Sequence, residues 1–160
     1  MPLHPKFVHL PLALSVLMPF IFGGLLVAWW RNWLPKKAWL IGILLQIVMT
    51  GGAFVAMETG EEEEERVEKV VPHDAMEAHE ERAEMFVWST ALLLVFAVLA
   101  GVVSSEKIAR WFAVAAIGLA FGVMLLGVRT GLAGGQLVYE YGAGSVYTDD
   151  APSSTQENRH

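Results

Sequence analysis

Cysteine is absent from the 160-residue chain. No disulfide, thiolate metal site, iron–sulfur cluster or covalently attached c-type haem can therefore be built from its own residues. Charge is scarce too: 18% of residues are charged against 54% hydrophobic, and the mean hydropathy is +0.45. That balance is too apolar for an ordinary soluble domain and reads as an integral membrane protein in a lipid bilayer. The chain also lacks a G-x-S-x-G elbow, a phosphate loop, a dinucleotide fingerprint and a paired-histidine H-E-x-x-H, so an enzyme acting alone is the least favoured class. No internal repeat suggests a transporter of inverted halves.

Basic surface is missing where nucleic acid would need it. Of the 17 acids, 12 lie in residues 58–84 against only Arg66, Lys69 and Arg82, and such a patch repels phosphates. It attracts cations, or is simply a solvated segment.

What the chain does hold is four apolar runs, at about 7–30, 38–57, 85–103 and 108–128. Each has about the 20 residues a helix needs to cross a bilayer core. The short loops rich in Lys and Arg, with Arg31, Lys36 and Lys37 in one and Lys107 and Arg110 in the other, belong on the cytoplasmic side. Both termini and the acidic segment 58–84 then face outward. Trp29, Trp30, Trp33, Trp39 and Trp111 ring the inner loops as an aromatic belt.

Local signals refine this outline. Pro11 and Pro19 stand inside the first run, where each removes a backbone hydrogen bond. Gln46 and Thr50 share a stripe of the second run and should face the bundle. Thr59-Gly60-Glu61-Glu62 has capping-box spacing and predicts a helix restarting after a break; Pro72 predicts a further start. Ser104 and Ser105 are candidate caps of the fourth run. The segment 131–147 is too glycine-rich to read as helix and too apolar for a free tail, so it is expected to fold back over the outer mouth. Residues 148–160 read as a disordered tail.

This topology gathers His4, His9, Glu58, His73, His79 and Arg129 on the outer side. At 100° per residue His9 shares a face with Ala13, Val16, Phe20 and Gly24, and His79 with Arg82, Ala83, Phe86 and Thr90. Each stripe is expected to face the bundle interior. Two ligand readings follow. His9 or His4 can pair with His79 as axial ligands of a non-covalent b-type haem, with Arg129 against a propionate. Alternatively the same imidazoles, His9 and His79 foremost, with Glu58, Glu80 or Glu84 can hold a divalent transition metal. The bland alternative gives each histidine only interface hydrogen bonds.

His4-Pro5-x-x-Val8-His9-Leu10-Pro11-Leu12-Ala13-Leu14, Thr59-Gly60, His79-Glu80 and Gly134-Gly135-x-Leu137-Val138-Tyr139-x-x-Gly142 together resemble a family of short bacterial four-span membrane proteins catalogued as a domain of unknown function. The likeness runs to about Val146. It implies a place in the bacterial plasma membrane and relatives joined to Rieske-type or cytochrome c-type modules, hence electron transfer with a redox protein or other membrane subunits as partners. It points to His4, His9 and His79 as functional positions. His73 and the run Glu61–Glu65 fall outside the family pattern.

The expected fold is all-α: a four-helix transmembrane bundle over residues 1–147, both ends extracytoplasmic. The expected function is a small membrane subunit binding haem or a metal for electron transfer, with a non-redox structural or interaction subunit as the alternative and transport less favoured.

Overall fold

Alternating apolar runs and short breaks give four long helices in the computed structural model, which describes residues 4–67 and 70–143, the side chains of 4–7 and 62–66 excepted. They are α1 (His4–Trp30), α2 (Trp39–Val67), α3 (His73–Val102) and α4 (Glu106–Tyr139), with a single 3-10 turn, Lys36–Ala38, leading into α2. All four are long and apolar enough to cross a membrane. They pack as a square in which α1 and α3 each contact α2 and α4, so α1 and α3 stand on one diagonal. The segment 148–160, expected to be disordered, lies outside the described residues.

Residue choice at the breaks explains where helices end. Asn32 takes φ 56°, the left-handed conformation that Asn tolerates better than most residues. Trp33 N–H then donates to Ala28 O at 2.8 Å and Asn32 N–H to Trp29 O at 3.1 Å, the paired bonds that close a helix through a left-handed residue. Replacing Asn32 by Val is expected to lower stability by roughly 1–2 kcal/mol, because a β-branched side chain is strained there; thermal unfolding in detergent would read this, with Asn32→Gly showing no loss. Pro72 precedes α3 as expected, and Val71 packs with Met76 and Ala143 in a small satellite cluster beyond the main core.

Two expectations fail on α2 and α4. No break occurs at Thr59-Gly60, since α2 continues to Val67. The Thr59 hydroxyl donates back to Val55 O at 2.9 Å and Ala56 O at 3.2 Å, so it serves the helix it sits in rather than capping a new one. The glycine-rich segment is helical as far as Tyr139. Past the helix the chain turns through Gly142, whose φ is +72°, and residues 144–147 of the segment lie outside the described residues. Each helical glycine costs about 1 kcal/mol relative to Ala. Close packing offsets that at two positions: the Cβ position of Gly127 would lie 2.7 Å from Ser15 Oγ, and that of Gly134 3.1 Å from His79 Cε1.

In lipid, apolar burial alone does not draw helices together, so contact quality and polar bonds decide the packing. The inward stripe of α4 is small, with Ala109, Ala113, Ala116, Ala120, Val123 and Gly127 all buried. Large side chains of the other helices fill the space, among them Met18, Phe22, Met49 and Leu93. Gln46 and Thr50 face inward as their stripe requires. Gln46 Nε2 donates to Thr90 O at 3.0 Å and to Thr50 Oγ1 at 3.3 Å, a polar layer joining α2 to α3. Ser15 on α1 spends its hydroxyl on Leu12 O at 2.7 Å.

The basic end is tied together more tightly than an aromatic belt implies. Trp39 is buried, stacks on Phe22 at 4.9 Å and donates its indole N–H to Ala97 O at 2.8 Å. Lys36 Nζ donates to Val103 O at 2.6 Å, bridging the two basic loops. Trp29 is buried as well, with Lys36 and Arg110 over its ring at 5.8 and 5.5 Å. Trp30, Trp33 and Trp111 remain exposed, as a belt requires. Ser105 precedes α4, but its side chain makes no capping bond.

Candidate functional site

At the opposite, acidic end the four helices line a half-open cavity of about 410 Å³. It falls within the range of small-molecule sites, about 300–1,000 Å³. Every helix contributes: Val8, His9, Pro11 and Leu12 from α1; Ala53, Ala56 and Met57 from α2; His79, Ala83, Phe86 and Val87 from α3; and Thr130, Gly131, Gly134, Gly135, Val138 and Tyr139 from α4. The walls are overwhelmingly apolar, and the two imidazoles come from helices on one diagonal of the bundle. The polar layer of Thr50 and Thr90 lies one helical turn below the wall residues Ala53 and Val87.

Local sequence makes the room. Pro11 rests against α2, its Cδ 3.5 Å from the Cβ position of Gly52. On α4, the Cβ position of Gly134 is 3.1 Å from His79 Cε1, whereas that of Gly135 meets nothing within 4 Å. Gly134 is thus the seat of the His79 imidazole, and Gly135 leaves the cavity open. Thr130 Oγ1 donates to Arg82 O at 3.1 Å and to Leu126 O at 2.9 Å, fixing α3 against α4 at the same level.

The candidate residues separate into those at the cavity and those away from it. His9 and His79 line it. The stripe of α1 named with His9 does not face inward, because Ala13, Val16, Phe20 and Gly24 are all exposed. The inward stripe is Pro11, Ser15, Met18, Phe22 and Leu26, and His9 reaches the cavity from its edge while staying largely exposed. The α3 stripe does face inward, Phe86 and Thr90 being buried. His4 begins α1, but its side chain lies outside the described residues. Glu58, Glu80 and Arg129 are exposed and none lines the cavity. His73 is exposed farther out, 3.9 Å from Glu77. Among the described residues no three His, Cys, Asp or Glu side chains cluster closely enough to hold a metal ion.

Sequence reasoning missed Thr130 and the two sides of the Gly134-Gly135 pair. A signal was present: the small stripe Ala113, Ala116, Ala120, Val123, Gly127, continued in helical register, arrives at Thr130, Gly131 and Gly134.

The family model for a predicted membrane protein, DUF2231, matches residues 1–147. The chain belongs to the DUF2231 family. Its cavity is therefore built entirely from the part of the chain that the DUF2231 model covers. No curated protein and no solved structure matches.

Proposed function

We propose that this DUF2231 protein is a small subunit of the bacterial plasma membrane that holds a b-type haem in the cavity between His9 and His79 and passes electrons to a partner redox protein or membrane subunit. The observation that carries this reading is the pair of imidazoles on diagonally placed helices lining one apolar cavity. An imidazole from each of two diagonally placed helices suits axial ligation, and an apolar wall suits the macrocycle. A bare transition metal would want three or four protein ligands, and the described residues bring no such set together. The haem reading is therefore preferred to the metal reading with Glu58 and Glu80. Bound haem would supply one-electron chemistry. The protein's part would be to orient the imidazoles, exclude water with Pro11, Phe86 and Val87, and present an opening beside Tyr139. With Arg129 away from the cavity, no basic side chain of its lining would meet the propionates, which would be left to solvent. The basic loops argue for a cytoplasmic basic end, so the cavity would open on the extracytoplasmic side.

One observation favours the non-redox alternative: His79 sits close on Gly134, a contact that could serve packing alone. The optical spectrum of the full chain, expressed with ample haem supply and purified in mild detergent, separates the two. A Soret band with sharp α and β bands on reduction is expected, with loss of most of it in His79→Ala and His9→Ala. A folded, colourless wild-type preparation would instead support the structural subunit.

A further inference from the structure

A second cavity, of about 350 Å³, opens between α1 and α4 at the basic end and is lined by Leu26, Trp30, Lys107, Arg110, Trp111 and Val114. Its two halves differ in chemistry. Lys107 and Arg110 form one side; Leu26 and Val114, the latter 49% exposed, form an apolar wall one turn or more further into the bundle. Trp30 and Trp111, 66% and 68% exposed, flank it as indoles do where headgroups meet hydrocarbon.

The cations there are not used up within the chain. Arg110 Nη2 donates to Glu106 at 3.0 Å and the guanidinium lies over Trp29, yet its Nε makes no hydrogen bond among the described residues. A guanidinium has five N–H donors, so several remain. Lys107 makes no ion pair among the described residues. Glu106 is the one acid near this end, against Arg31, Lys36, Lys37, Lys107 and Arg110.

We infer that this cavity binds the headgroup of an anionic phospholipid. The phosphate would meet Lys107 and Arg110, and the acyl chain would run along Leu26 and Val114. A free phosphate would have no use for the apolar wall. A zwitterionic headgroup would bring its own cation to a place that already holds an excess of them. Basic pockets between spanning helices are suited to this recognition, and the inference is independent of what occupies the cavity at the other end.

The test is native mass spectrometry of the full chain released from membranes containing equal phosphatidylglycerol and phosphatidylcholine. Retention of phosphatidylglycerol is expected to exceed that of phosphatidylcholine by about fivefold or more. Lys107→Gln, at an exposed position, should cut the preference by about fivefold while leaving the helical content unchanged; Arg110→Gln should do at least as much. Lys37→Gln removes the same charge at the same end, outside the cavity, and should leave the preference intact. Equal retention of the two lipids, an equal loss in Lys37→Gln, or displacement of the lipid by millimolar inorganic phosphate would overturn the assignment.

Discussion

Truncating Trp39 to alanine is expected to destabilise the bundle by about 3–5 kcal/mol, the range for removing a large buried aromatic side chain. The indole is 2% exposed, stacks on the fully buried Phe22 and donates to Ala97 O. It thereby joins α2 to both α1 and α3. Collapse around the gap is hindered because side chains already press on glycine backbone nearby: the Cβ position of Gly42 is 2.7 Å from Phe22 Cε1, and that of Gly101 is 2.8 Å from Ile43 Cδ1. In lipid the loss is mainly of dispersion contacts rather than of water exclusion. Trp39→Phe keeps an aromatic ring against Phe22 but gives up the hydrogen bond and part of the buried volume, and should cost about 1–3 kcal/mol. Unfolding by sodium dodecyl sulfate titrated into mild-detergent micelles, followed by far-ultraviolet circular dichroism, gives both numbers. A loss under about 1 kcal/mol for Trp39→Ala would show that the basic end is not a structural anchor.

Filling the cavity from α4 should remove its ligand without unfolding the protein. Gly135→Leu places a branched side chain where no atom stands within 4 Å of the new Cβ, whereas Gly134→Val puts its Cβ 3.1 Å from the His79 ring. The first competes with the ligand for volume; the second moves an imidazole. Overpacking of this kind costs about 1–3 kcal/mol, so haem occupancy should fall about tenfold to a hundredfold in both. Thermal stability should drop in Gly134→Val alone. Haem-to-protein ratios together with melting temperatures read both effects. Unchanged haem occupancy in Gly135→Leu would place the ligand elsewhere.

Periodicity carried the spans because 20-residue apolar runs have one physical use, and Pro72 marked the start of α3 because its fixed φ suits a helix entry. Long-range packing was harder to read. Thr59-Gly60 has the composition of a cap, but the hydroxyl also reaches its own helix's carbonyls, and continuation won. The glycines of α4 read as helix breakers because their cost is local, while the benefit, a close approach to Ser15 and His79, is tertiary. The rotation of α1 is hidden for a similar reason: Ala13, Val16, Phe20 and Gly24 are as apolar as Pro11, Ser15, Met18 and Phe22, and in a lipid-facing helix hydrophobicity cannot tell the inner side from the outer. Residue size and hydroxyls mark the inner side better. Histidines could be assigned to an end of the bundle, but only the packed helices bring His9 and His79 to one cavity and leave Glu58, Glu80 and Arg129 outside it.

The electron paramagnetic resonance spectrum of the oxidised, purified full chain is the most direct test of a haem gripped from both sides of the bundle. A low-spin ferric signal characteristic of two imidazole ligands is expected, turning high-spin or vanishing in His79→Ala. Iron-free protein that is fully folded after expression with haem, or a ferric signal indifferent to the loss of either imidazole, would contradict it.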